Sequence, residues 1–113
     1  PAALALHDIP WLCVVDDVAV PPSVQAWDLG PGESAVIAWA LANPGSVAVL
    51  DDLEGRQCAR AHRLRVRGTL GLVLEARRQD RIPSARVVMN QLRAAGMYLS
   101  DVVLNRALAE VGE

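Results

Sequence analysis

Lysine and phenylalanine are absent from this sequence, and cysteine, methionine and histidine occur only twice each. Cys13 and Cys58 stand far apart without metal-ligand spacing, which leaves no basis for a zinc site or a disulfide framework. They read as two thiols in a reducing compartment. No apolar run approaches the roughly 20 residues that span a bilayer, so no membrane partner is expected. No basic-then-apolar leader opens the chain, and the expected location is the cytoplasm. Disorder is excluded by what is abundant: 52% of the 113 residues are apolar and the net charge is only −2. A chain of this length makes a single domain, residues 1–113, smaller than most complete doubly wound domains.

The small net charge hides an asymmetry. Residues 1–55 hold eight acids and no arginine, whereas residues 56–93 hold ten arginines against Glu75 and Asp80. Such a distribution can mark a polyanion-binding face. Alternatively, the arginines solvate outer helix faces and pair with the acids of the first half. The low total basicity favours that plainer account. Arg56 is expected near any acidic cleft, with Arg77, Arg78 and Arg81 facing solvent.

The chain is organised around residues 47–69. Val47 to Leu50 form an apolar run that ends on two adjacent carboxylates, Asp51 and Asp52, as a buried strand would. Glu54 to Arg63 carries good helix formers with Cys58, Ala59 and His62 on the inner side. Leu64 to Arg67 reads as a second strand closed by Gly68-Thr69. Strand, helix and strand make a minimal βαβ unit, parallel and right-handed. Ligands of open parallel sheets sit beyond the carboxyl ends of the strands, where Asp51 and Asp52 fall.

Before this unit, Ile9 to Val15 suggests a short strand, and Pro22 to Leu29 a loop. Gly30-Pro31-Gly32-Glu33 starts a helix, with a proline at its first position and an acid in its first turn. Ser34 to Ala42 is apolar nearly all round, so this helix should be buried on most sides with Trp39 in the core. Thr69 is expected to cap a helix from Leu70 to Gln79. Ser84 opens a helix with Val88, Leu92 and Ala95 inward, and Gly96 stops it. Ser100 caps a last helix whose stripe is Leu104, Leu108 and Val111.

Glu33, Asp51 and Asp52 are the candidate site residues. Hard cations such as Mg²⁺ take carboxylate oxygens, and a cation relieves the repulsion of crowded carboxylates. Glu33 approaches the aspartates if its helix packs antiparallel to the central strand. The plain alternative is that Glu33 caps its own helix and the aspartates punctuate a turn. His7 and His62 lack partners at useful spacing. Arg67-Gly68-Thr69-Leu70-Gly71 lacks the glycine count and lysine of a P-loop.

Four segments carry a resemblance. Residues 29–38, LGPGESAVIA, resemble the "LDxGEAEAIALA" segment of a family of small prokaryotic PIN-like proteins related to VapC toxins. Val49-Leu50-Asp51-Asp52 with Gly55-Arg56 is similar to its "LLIDDxxGRxxA" segment. Val66 to Gly71 is similar to its "VxGTLGLL" segment, and Gly96 to Ser100 to its "GFxLS" ending. The resemblance spans residues 29–113.

What it implies is an α/β fold of PIN type, a parallel sheet flanked by helices, bearing an acidic Mg²⁺ or Mn²⁺ site that hydrolyses RNA. Glu33, Asp51 and Asp52 match three family acids. Thr69 matches the Gly-Thr position in support of them, and Arg56 matches an arginine that contacts phosphate or forms a buried ion pair. The family's first metal-binding Asp has no counterpart, so the chain reads as the C-terminal two-thirds of the pattern; Asp16 or Asp17 is the stand-in. The implied function is a metal-dependent endoribonuclease, the toxin of a toxin–antitoxin pair, inactive as this fragment. Its partners would be RNA, an antitoxin protein and a second copy in a homodimer. The rival is a non-catalytic PIN-like module that docks RNA or protein.

Overall fold

The computed structural model describes residues 8–113. Among them run α1 (Pro22–Gln25), α2 (Pro31–Ala42), β1 (Val47–Val49), α3 (Leu53–Ala61), β2 (Arg65–Arg67), α4 (Thr69–Arg78), α5 (Ala85–Ala94) and α6 (Asp101–Ala109). The strands pair in parallel, Val47 with Arg65, Ala48 with Val66 and Val49 with Arg67, and α3 is the crossover between them. This is the α/β arrangement expected, a parallel sheet flanked by helices.

The alternation of the strands decides which side of the sheet is covered. Ala48 and the partly buried Val66 point inward, while Val47 and Val49 remain 44% exposed with Arg65 and Arg67 on the same outer face. A first core gathers Val24, Ile37, Ala48, Leu50, Cys58 and Ala59 from α1, α2, the sheet and α3. A second gathers Val73, Leu74, Ala85, Met89, Leu104 and Leu108 from the last three helices. Each fully buried side chain as large as Ile37 or Leu104 contributes roughly 1.5–3 kcal/mol.

Several sequence expectations change. No strand forms over Ile9 to Val15. Leu12 donates to the Ile9 carbonyl at 3.1 Å in a turn, and neighbouring Val14 and Val15 are both about half exposed, without the in-out alternation of a sheet. Pro22 to Gln25 is a helical turn instead of loop, because proline at its first position gives up only an N–H with no partner there. Helix α2 is not buried nearly all round: Val36 and Trp39 stay 38% and 39% exposed, because a two-stranded sheet covers only one side of it. In α5 the deepest residues are Ala85 and Met89, with Val88 and Leu92 flanking and Ala95 exposed.

Helix α3 stops two residues before Arg63. The Leu64 N–H reaches the Ala59 carbonyl at 2.9 Å and the Arg63 N–H reaches Arg60 at 2.9 Å, with Arg63 left-handed at φ 60°. This closing motif satisfies the last carbonyls and turns the chain into β2. The same pair of bonds ends α5, where Gly96 takes φ 115° at no steric cost.

Candidate nucleic-acid interface

Asp51 follows directly on the last residue of the β1 run, and Thr69 is the first residue of α4. The Thr69 N–H donates to Asp51 Oδ1 at 2.8 Å and the Thr69 hydroxyl donates to Oδ2 at 2.7 Å. Thr69 is therefore not the helix cap expected from sequence. Gly68 takes that position with extended backbone, which frees the threonine to hold the carboxylate with both its donors. The clamp ties the carboxyl end of β1 to the start of α4, where the helix dipole favours an anion.

Asp52 does something different. It is the N-cap residue of α3 with no side-chain capping bond, and its carbonyl accepts the Arg56 N–H at 3.0 Å. Its carboxylate is exposed and has no hydrogen-bond or ion-pair partner among the described residues. Glu33, in the first turn of α2, lies across the first turn of α3. Its Oε2 is buried without a hydrogen-bond partner among the described residues, and a Cβ built on Gly55 would meet it at 2.6 Å. Only glycine admits the carboxylate so close to the helix.

Gly68 has a related role. A Cβ there would lie 3.3 Å from Asp51 Oδ1 and 3.7 Å from Arg56 Nη1, so the bare backbone leaves room for both groups. Arg56 is half-buried and its Nε is buried without a partner among the described residues. Asp51, Arg56 and Gly68 together line one wall of a groove of about 480 Å³, whose other wall comes from α4, the α5–α6 connector and α6.

The donor chemistry of Glu33, Asp51 and Asp52 suits a hard cation, and an orphaned carboxylate oxygen is an atom that a cation would satisfy. Among the described residues, however, no three His, Cys, Asp or Glu side chains group closely enough to hold one. The described residues by themselves do not fit a closed cation site.

His62 and Cys58 serve the fold. The His62 Nδ1 lies 2.9 Å from the Cys58 carbonyl, which can only accept, so Nδ1 carries the proton and Nε2 accepts from the Ser23 hydroxyl at 3.1 Å. Burial pushes the Cys58 thiol up from its ordinary value, which makes it a poor nucleophile. Ser84 and Ser100 accept from Val87 and Val103 as helix caps.

Arg78 and Arg81 are exposed, as expected, and Arg77 is the exception. Arg77 is not free in solvent: it lies 3.3 Å from Asp80 and its buried Nε is 3.4 Å from Glu113, an ion pair without hydrogen-bond alignment. Arg78 and Arg93 are also paired. Arg60, Arg65 and Arg67 are exposed, flank a cavity of about 240 Å³ along β2, and form no ion pair among the described residues. Sequence reasoning passed over this strip. Its signal is the run from Gly55 to Leu74, which holds five arginines and no acid. Tyr98, between the helix stop at Gly96 and the cap at Ser100, stands 92% exposed on the rim of the large groove.

No helix among the described residues is long and apolar enough to cross a membrane. The family model described as PIN domain matches residues 3–113, reaching well ahead of residue 29, where the resemblance read from sequence begins. No curated protein and no solved structure matches the chain.

Proposed function

Because this chain belongs to the PIN domain family, we propose that it is the nuclease-type module of a metal-dependent endoribonuclease, the toxin half of a toxin–antitoxin pair. RNA is the substrate, Mg²⁺ or Mn²⁺ the cation, and the cytoplasm the compartment. An antitoxin protein and a second copy of the chain are its protein partners. Glu33, Asp51 and Asp52 are its acids, Thr69 positions Asp51, and Arg56 meets phosphate. One observation carries this reading. At the carboxyl ends of two parallel strands, where such sheets bind ligands, a carboxylate fixed by Thr69 shares a groove with an arginine whose buried Nε has no partner among the described residues. The arginine strip along β2 supports a polyanion as the ligand.

A second reading, a non-catalytic module that docks RNA or protein, is favoured by the absence of a three-acid group among the described residues. Incubating the chain with a mixed RNA pool in millimolar Mg²⁺ or Mn²⁺ separates the two. Little or no cleavage is expected, since an incomplete donor set holds cations weakly, and whatever is seen should vanish in Asp51→Asn and Asp52→Asn. RNA bound but uncut with either cation selects the second reading. Cleavage indifferent to both substitutions, or no RNA binding at all, overturns the assignment.

A further inference from the structure

The groove beside Asp51 has two unlike walls. On one, Arg56 presents a planar guanidinium beside the bare backbone of Gly68. On the other, Leu74, Met97 and Leu99 make a partly or fully buried apolar floor, and Tyr98 stands at its rim with 92% of its surface in water. Two acids also line the groove. Glu110 is offset by Arg78 at 3.1 Å, and both oxygens of Asp51 accept hydrogen bonds from Thr69. Arg56 is thus the groove's own basic residue, facing one offset and one hydrogen-bonded carboxylate. Charge alone would bind a polyanion here feebly. An exposed aromatic face next to one cation and an apolar floor suits a ligand that is anionic at one end, flat and weakly polar at the other.

We infer that this groove is a subsite for one unpaired nucleotide of a single-stranded RNA, with its phosphate on Arg56 and the face of its base on Tyr98. The inference rests on the RNA-binding reading above and adds to the same site a residue that holds a base. A base within a duplex has both faces covered by its neighbours, whereas an unstacked base has a face free for Tyr98. The volume of about 480 Å³ falls within the range of small-ligand sites.

The test uses the whole chain in chelator-containing buffer, so that no cleavage intervenes, and follows anisotropy of a labelled single-stranded oligoribonucleotide. Tyr98→Ala should weaken binding by about 5- to 150-fold, the range for removing one aromatic from one stacked base, and Tyr98→Phe should retain it. The exposure of Tyr98 keeps both variants folded. The same oligomer carrying abasic riboses should bind weakly and be indifferent to Tyr98→Ala, and a duplex should compete poorly. Tyr98→Ala binding within twofold of the parent chain, or an abasic oligomer binding as well as the complete one, overturns the subsite while leaving RNA binding intact. If the parent chain binds neither single strand nor duplex, the RNA reading itself falls.

Discussion

Replacing Gly55 with alanine separates what Glu33 does for the fold from what it does for the site. The added methyl would lie 2.6 Å from Glu33 Oε2, 3.6 Å from its Cδ and 3.8 Å from Leu50 Cδ1. Only the first contact is too short, and the carboxylate must retreat by about 0.8 Å to restore ordinary contact. Glu33 is a flexible side chain, and moving Oε2 breaks no hydrogen bond among the described residues. Meanwhile alanine is favoured over glycine inside a helix by roughly 0.5–1 kcal/mol. Gly55→Ala should therefore leave urea-unfolding stability unchanged or raise it by up to about 1 kcal/mol, which is roughly 3–6 °C in Tm for a chain of this size. RNA cleavage should fall with it, and Mn²⁺ binding followed by calorimetry should weaken, as in Glu33→Gln. A loss above about 2 kcal/mol would mean that Glu33 is locked in place by its surroundings and cannot yield. Unchanged cleavage and Mn²⁺ binding would remove Glu33 from the site.

Other outcomes follow from the same geometry. Arg63→Gly should raise the urea midpoint by the equivalent of about 1 kcal/mol, since arginine at φ 60° bears a left-handed strain that glycine does not; a lower midpoint would show that the Arg63 side chain holds something in place. Neutralising Arg60, Arg65 and Arg67 together should make the salt dependence of RNA binding shallower by about 2 in the log–log slope, at roughly 0.7 per single-strand phosphate contact. An unchanged slope leaves the strip as solvated surface. The Glu113 carboxylate accepts the Ala85 and Arg86 N–H groups and the Ser84 hydroxyl and faces Arg77, which holds it below its ordinary value of 4.5. Its contribution is whole above pH 4.5 and is lost as pH falls through the lower folded-state value. The stability gap between the parent chain and Glu113→Gln should therefore be constant near neutrality and close in acid, and a gap independent of pH would refute the capping role.

Much of the fold is legible in local chemistry. The βαβ unit over residues 47–69 follows from an apolar run, a helix-forming stretch and a second short run, and both strands lie within the expected spans. Helix starts at Pro31 and after Ser84 and Ser100, and the stop at Gly96, follow from residues whose preference is set by their own backbone. Two of the misreadings share one cause. Ile9 to Val15 has strand-forming residues but finds no partner strand, and Trp39 has a core residue's chemistry but lies where the sheet ends. Whether an apolar residue is covered depends on what stands opposite it, which composition does not encode.

The site divides along the same line. Sequence alone determined the chemistry: which acids stand at a strand end, that Thr69 begins the next helix region, and that the arginines crowd into the second half. Only tertiary structure decided how those groups are used. It pairs Asp51 with Thr69, leaves Asp52 exposed at a helix cap, lays Glu33 on Gly55, occupies Arg77 with Asp80 and Glu113, and brings Arg56 and Tyr98, distant in the chain, to one groove. The physical reason is range. A cap or a turn is settled by bonds between residues three to five apart, whereas a binding surface is made by side chains that only the packing of separate helices brings face to face.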